Sequence, residues 1–176
     1  PNILGNHQLY NISTTIAASR KIFNIRDKDV INGIQNISLK GRLEEIKSGK
    51  LKAIAGNNRL IIDGGHNISA SMSIANWVKN QNEEVNLIVG MMKDKEHLKF
   101  MEAFQDIVNS VTLIDIPNQA SAIFKEDLKR KLEKLKLNLK LSNGIEESIK
   151  TLSINENTII LCVGSLYLAG EILSLN

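Results

Sequence analysis

Leu60-Ile61-Ile62-Asp63-Gly64-Gly65-His66-Asn67 is the stretch on which the reading of this 176-residue chain turns. Leu60 to Ile62 has no polar face, as expected of a parallel strand covered on both sides. The glycine pair lets the chain turn where a Cβ would clash, and it admits a ligand close to the backbone. Asn67 and Ser69 are residue types that cap helices, and residues 68–79 carry Ile74, Trp77 and Val78 at helical spacing. An acid, a histidine and an amide therefore stand at the carboxyl end of a strand, the edge where open α/β sheets hold their ligands.

Outward from this stretch the pattern alternates. Strands are expected over residues 43–46, 59–63, 85–89, 111–116, 137–141 and 158–163, and helices over 68–79, 96–108, 121–136, 144–152 and 166–173. Residues 47–58 read as a loop. Such alternation with short connections predicts an α/β fold: a Rossmann-like, mostly parallel sheet flanked by helices. The first 38 residues differ. Two helical patterns, one over 11–23 and one capped by Asp27 and bearing Val30, Ile31 and Ile34, follow each other with no strand between. They read as the tail of a preceding domain, which gives an expected division into 1–39 and 40–176, with 38–40 as linker.

Composition narrows the function classes. A net charge of +3, from 22 basic and 19 acidic residues, is too mild to imply nucleic acid. The apolar runs are too short to span a membrane. The single cysteine, Cys162, lies in Ile159-Ile160-Leu161-Cys162-Val163 and reads as a buried strand thiol, which implies a reducing, cytoplasmic setting. Lysines of residues 121–136 read as a solvated face opposite the stripe Phe124, Leu128, Leu132 and Leu135. Neither G-x-x-x-x-G-K-[ST] nor G-x-G-x-x-G occurs, and His7, His66 and His97 lack zinc spacing, so no metal site is expected. Val163-Gly164-Ser165-Leu166-Tyr167 has Tyr167 where a nucleophile elbow needs glycine.

Three polar clusters each follow an expected strand: residues 63–67, 93–95 and Ser165. A parallel sheet brings those ends to one edge, where helix starts favour an anion, so the expected ligand is a nucleotide or carboxylate. Each residue also has a plainer reading. Asp63 could cap the turn, His66 could be structural, and Ser165 could be a helix N-cap. His97 reads as an exposed helix residue, Lys93 and Lys95 as loop charges, and Trp77, Met72 and Met101 as core.

Five blocks, taken together, resemble folylpolyglutamate synthase, which also acts as dihydrofolate synthase in many bacteria, within the Mur ligase superfamily. They are Leu4-Gly5-Asn6-His7-Gln8-Leu9-Tyr10-Asn11, Gly41-Arg42-Leu43-Glu44, Asp63-Gly64-Gly65-His66-Asn67, Gly90-Met91-Met92-Lys93-Asp94-Lys95-Glu96 and Gly164-Ser165-Leu166-Tyr167-Leu168. They stand in the family's order and reach nearly the whole chain. Ile68 departs from the family's proline, Ile12 from its alanine and Glu96 from its aspartate; none of these removes a polar ligand. The resemblance implies the fold of a Mur ligase carboxy-terminal domain, preceded by two helices from the end of the central domain. It implies an ATP- and Mg2+-dependent ligase that adds L-glutamate to folate or dihydropteroate through an acyl phosphate. The phosphate loop and metal ligands would belong to an amino-terminal ATPase part that this chain lacks, leaving the fragment inactive alone. By matching position, Asn11, with His7 and Gln8, would contact adenine, Arg42 would reach the terminal phosphates, and Asp63 would hold the ribose. His66 and Ser165 would position glutamate, with Arg42 and His66 the residues nearest the chemistry. Asn67, Asp94 and Lys95 would line the cleft. Two other readings remain: a non-catalytic remnant or interaction module of a split ligase, and the carboxy-terminal domain of a peptidoglycan-type Mur ligase.

Overall fold

A computed structural model describes residues 6–37 and 39–176, with the side chains of Asn6 and His7 outside the description. The expected role of His7, the first two residues of the block at 4–11, and Ser38 of the expected linker therefore lie outside the described residues.

The elements run in the order α1 (Asn6–Ile22), α2 (Asp27–Gln35), β1 (Glu44–Ile46), α3 (Lys50–Ala55), β2 (Arg59–Ile62), α4 (Ile68–Lys79) and β3 (Val85–Val89). They continue with α5 (His97–Glu102), β4 (Ser110–Leu113), α6 (Lys125–Leu132), β5 (Leu139–Leu141), α7 (Ile145–Leu152), β6 (Ile159–Val163) and α8 (Leu166–Leu175). One six-stranded sheet has the order β1-β2-β6-β3-β4-β5. All pairs are parallel except β1 with β2. This is the expected Rossmann-like, mostly parallel sheet flanked by helices.

Strand alternation divides the core. Ile61, Leu87, Val89, Leu161 and Val163 face one layer, which holds Trp77, Phe100, Met101 and Leu128. Leu60, Ile62, Ile88, Ile160 and Cys162 face the other, with Leu51, Ile149, Leu168 and Ile172. Successive side chains of a strand point to opposite faces, so an unbroken apolar run needs a helix layer on each side. Burying each such Leu or Ile contributes about 1.5–3 kcal/mol. The helix after β2 packs on the first face and the helix after β6 on the second. The chain therefore splits to opposite sides between two neighbouring strands, which opens a crevice at their carboxyl ends.

Several expectations need correction. Residues 47–58 are not simply loop, since α3 lies within them. The helix expected over 121–136 is confined to α6, because Ile123 N–H donates to Met91 O (3.0 Å) and Met92 bridges Ala122. Phe124 is accordingly exposed rather than part of a buried stripe. The helix expected over 96–108 shortens to α5. Arg26, not Asp27, stands at the start of α2, with no side-chain cap. Met72 is 64% exposed rather than core, and His97 is buried, at 4%.

Candidate functional site

Ile62 lies opposite Cys162 in the β2–β6 register, so the two chain ends leave the sheet side by side. Asp63 N–H donates to Cys162 O (2.9 Å), Gly164 N–H to Gly65 O (3.1 Å) and Gly90 N–H to Val163 O (3.4 Å). The exits of β2, β6 and β3 are thereby laced together. Gly164 has φ +108°, and a Cβ there would stand 2.7 Å from Gly90 O. At Gly64 a Cβ would run into the Leu166 side chain. Only glycine tolerates both demands, a left-handed backbone and close approach of two turns.

Asp63 is nearly inaccessible, at 4%. Its Oδ1 accepts from Gly65 N–H (2.6 Å), closing the turn, and its Oδ2 accepts from Leu43 N–H (2.9 Å), twenty residues away. Gly64 N–H also donates to Gly41 O (2.8 Å). The segment 41–43 is thus moored to the turn after β2, with Leu43 held at φ +44°, a conformation that costs a non-glycine residue energy. Arg42 rides on this moored segment, its Nη1 3.9 Å from Asp63 Oδ1 and its side chain 38% exposed. Gly41 N–H donates to Glu44 Oε2 (2.8 Å), tightening the same bend.

Around these groups lies a hollow of about 300 Å3 lined by Gln8, Asn11, Arg42, Asp63, His66 and Asn67, among others. Asn11 Nδ2 donates to Gln8 Oε1 (3.0 Å), so one turn of α1 presents two coupled amides. Asn67 caps α4 by accepting from Ala70 N–H (2.9 Å). A larger hollow, about 650 Å3, adjoins it and is lined by His66, Lys93, Asp94, Lys95, Ser121 and Ser165, with Tyr167 at its rim. His66 belongs to both. Its Nδ1 lies 3.0 Å from Gly64 O; a carbonyl cannot donate, so Nδ1 carries a proton, and the tautomer this contact selects has Nε2 as its acceptor. Ser165, 2% exposed, caps α8 by accepting from Tyr167 N–H (3.1 Å) and keeps its own hydroxyl proton to donate.

The loop bearing Lys93, Asp94 and Lys95 is rigidly mounted. Lys93 N–H donates to Ser121 O (2.9 Å), and Lys93 Nζ donates to Ala120 O (3.1 Å) while lying 5.7 Å from the Phe124 ring centroid. Underneath, His97 Nε2 donates to Met92 O (2.9 Å), and burial pushes this imidazole below its ordinary value. Lys95 Nζ bonds Asp94 Oδ2 (2.7 Å), which draws the Asp94 carboxyl below its usual range. Among the described residues no three His, Cys, Asp or Glu gather as a metal ion would need. Cys162 is buried and its thiol is pushed up to about 12. No helix among the described residues is long and apolar enough to cross a membrane.

The expected site residues with described side chains line two adjoining hollows at the strand exits. Gln8, Asn11, Arg42, Asp63 and Asn67 line the smaller hollow, Asp94, Lys95 and Ser165 the larger, and His66 joins them. Sequence reasoning missed Ser121, which it placed inside a helix, and gave no function to Tyr167.

Residues 41–166 match the family described as Mur ligase, glutamate ligase domain. The dihydrofolate synthase/folylpolyglutamate synthase of Buchnera aphidicola subsp. Schizaphis graminum is 27% identical over 78% of this chain and 33% of its own length. Among solved structures, Mycobacterium tuberculosis folylpolyglutamate synthase complexed with ADP superposes with a TM-score of 0.85 at 18% identity, covering 98% of this chain and 40% of that one. Escherichia coli FolC in complex with DHPP and ADP gives 0.75 at 18% identity, over 94% and 38%. The chain spans about a third of the curated relative's length, and about two fifths of the structures, whose likeness concerns the fold.

Proposed function

Because the chain belongs to the Mur ligase family through its glutamate ligase domain, we propose that it is the carboxy-terminal portion of an ATP-dependent ligase. That ligase joins L-glutamate to folate, to dihydropteroate or to both. One observation carries the reading: two adjoining hollows, one rich in amide, carboxylate and guanidinium groups, the other in lysine and hydroxyl, meet at His66. In this reading 1–39 is the tail of the central domain and 40–176 the ligase domain. An apolar groove between α1 and α2, lined by Ile12, Ile16, Val30 and Ile34, and the lack of any buried residue in α2 support that division.

ATP transfers its terminal phosphoryl group to a substrate carboxylate. The amine of glutamate then attacks the acyl carbon, phosphate leaves, and an amide forms. Asn11 and Gln8 offer a donor–acceptor pair to the adenine edge. Asp63 takes a ribose hydroxyl on a remaining lone pair, each carboxylate oxygen having more than one. Arg42 meets the terminal phosphates, where a fixed guanidinium offsets developing charge. In the larger hollow, His66 Nε2 accepts from the glutamate ammonium and Ser165 donates to one of its carboxylates, with Asp94 and Lys95 completing the wall. Their work is orientation of the amine towards the acyl carbon. Mg2+ would neutralise charge on the phosphates; the described residues do not assemble ligands for it, so its ligands and the phosphate loop lie elsewhere in the ligase. A cytoplasmic setting suits the unpaired thiol.

The test is glutamate-dependent ADP release with dihydropteroate or tetrahydrofolate, against UDP-linked sugar peptides, by the chain alone and together with a phosphate-loop-bearing part. Turnover is expected only in the combination and only with the pterin substrates. Arg42→Ala should lower it by about 10²–10³. Turnover indifferent to Arg42→Ala, or specific to sugar peptides, refutes the assignment. Absence of nucleotide and glutamate binding throughout would make the chain an interaction module instead.

A further inference from the structure

The dipeptide Asn-Gly occurs twice, at Asn32-Gly33 and at Asn143-Gly144. In this dipeptide the side-chain amide is open to attack by the next backbone nitrogen, because glycine has no Cβ to hinder the approach. Both asparagines are exposed, so backbone and neighbours separate them. Asn32-Gly33 lies inside α2, where the Gly33 N–H falls in the i→i−4 ladder. The Asn32 carbonyl also accepts from Asn36 N–H (3.1 Å) and Asn36 Nδ2 (2.8 Å). Asn143-Gly144 instead joins β5 to α7. Gly144 is the N-cap of α7, extended at φ 170° and ψ 179°, and its N–H donates to no acceptor among the described residues. A Cβ built there would meet nothing within 4 Å, so the surroundings are open. Lys125 Nζ donates to Asn143 Oδ1 (3.1 Å) and to Ser142 O (3.0 Å) and stands 3.7 Å from Asp115 Oδ2. Only 13% of the Lys125 side chain is exposed. The Asn143 N–H donates to Glu147 Oε2 (3.0 Å), which holds the residue between strand exit and helix start.

We propose that the fold makes Asn143-Gly144 a self-modifying site, where the side-chain amide is converted to aspartate and isoaspartate with Lys125 as the promoting group. This does not depend on the ligase reading. Gly144 N gives its proton to solvent base and bonds to Asn143 Cγ. Negative charge gathers on Oδ1, to which the Lys125 ammonium is bonded from the start. A charged donor fixed at that oxygen, in a mostly buried setting, favours the developing charge. The Cγ–Nδ2 bond then breaks, and Nδ2 takes a proton from solvent and leaves as ammonia. Water opens the remaining cyclic imide at either carbonyl, which gives aspartate or isoaspartate with no oxidant or further reactant. The new carboxylate stays beside Lys125, and the isoaspartate form adds a methylene to the main chain between β5 and α7. Asn32 has none of this help. Its neighbouring nitrogen must first leave the helix ladder, and no cation bonds its Oδ1 among the described residues.

The experiment incubates the folded chain at neutral pH beside the same chain unfolded in guanidinium chloride. Peptides holding Asn32 and Asn143 are then read by the mass gain of an amide-to-acid change and by an isoaspartyl-specific methyltransferase. Unfolded, the two pairs should convert at similar rates. Folding is expected to speed Asn143 about tenfold and to slow Asn32 about tenfold, as one charge-assisted bond used and one ladder bond to be broken imply. Lys125→Gln should remove the gain at Asn143 and leave Asn32 as it was, while Lys125→Arg should keep most of the gain. Gly144→Ala fits the extended backbone and the open space, so it should fold as the parent does and convert more slowly in both states. Conversion of Asn143 that is slower folded than unfolded overturns the proposal, whatever the variants do. So does a rate unmoved by Lys125→Gln, or a parent rate in Gly144→Ala, which would mean that water attacks the amide directly.

Discussion

Replacing Asp63 by alanine should damage the fold as well as any nucleotide contact. The carboxylate accepts two buried N–H groups, of Gly65 (2.6 Å) and Leu43 (2.9 Å). A hydrogen bond to a charged group contributes about 1.5–3 kcal/mol, and a buried donor left unpaired costs about 1–3 kcal/mol. Because the two bonds share one side chain and the site can relax, the combined loss is about 3–5 kcal/mol, a large part of a typical domain's 5–15 kcal/mol. For a domain of this size that lowers Tm by roughly 6–20 °C. Asp63→Asn should cost about half as much: one carbonyl oxygen remains, and the amide N–H₂ is turned towards the other donor. Urea unfolding followed by fluorescence of the single tryptophan, buried Trp77, measures both. Arg42→Ala is the control, since its partly exposed side chain contributes within about 0.5 kcal/mol. If Asp63→Ala stays within about 0.5 kcal/mol of the parent, the carboxylate does not moor the segment 41–43 and the argument fails. If it destabilises as stated, lost activity in that variant says nothing by itself about the ribose.

Gly164→Ala forces a side chain into a left-handed backbone 2.7 Å from Gly90 O; a loss of at least about 1–3 kcal/mol is expected, and an unshifted urea midpoint would contradict it. His97 makes stability depend on pH. Burial lowers its pKa in the folded chain, so between that lowered value and about 6.5 the unfolded chain binds the proton more readily. Its contribution is complete above about pH 6.5 and is lost as pH falls through that window. Urea midpoints measured across this range should slope in the parent and flatten in His97→Gln, and parallel slopes would rule the histidine out. Cys162, with its thiol pushed up to about 12, should resist thiol reagents until the chain unfolds; rapid labelling under native conditions would place it at the surface.

Much of this was legible because burial on both sides of a sheet leaves a mark in sequence. β6 over Ile159–Val163 is an unbroken apolar run and β3 over Val85–Val89 is interrupted only by Asn86, and such a run dictates two helix layers. The converging site followed from topology, since polar residues after parallel strands must share an edge. What the sequence withheld depends on distant partners. α3 has only six residues, and its first N–H groups are capped by Asn176, with Leu51 N–H donating to Asn176 Oδ1 at 3.0 Å. No local signal announces a cap 125 residues away. Residues 121–124 continue a helical pattern, yet the contact of Ile123 with Met91 takes their backbone for the neighbouring loop. His97 looked exposed because its helix was placed too long and its target, a backbone carbonyl, has no signature. That the Asp63 carboxylate spends both oxygens on backbone N–H groups was equally invisible, as Leu43 is a partner only in three dimensions.

The two hollows differ in how much of their chemistry is already committed. Asp63 is locked by its N–H donors, His66 Nδ1 is tied to Gly64 O, and Ser165 Oγ already accepts from Tyr167 N–H. His66 and Ser165 therefore each present one further function in a fixed direction, an acceptor nitrogen and a hydroxyl proton, and the Asp63 carboxylate is held in one orientation. Groups so restrained can orient a ligand, but they are poorly placed to shuttle protons. Arg42 is the opposite case, loosely paired at 3.9 Å and partly exposed. A loosely held guanidinium beside a carboxylate whose charge is already shared among hydrogen bonds can turn towards a stronger anion at small cost. The proposed ligase reading needs that asymmetry, with rigid groups for adenosine and glutamate and one free cation for phosphates delivered by another part of the enzyme. Tightening it is thus predicted to be harmful: Arg42→Lys, a point charge without the planar fork, should keep stability and still lose most of the turnover that Arg42→Ala loses. Full activity in Arg42→Lys would show that mere charge suffices there.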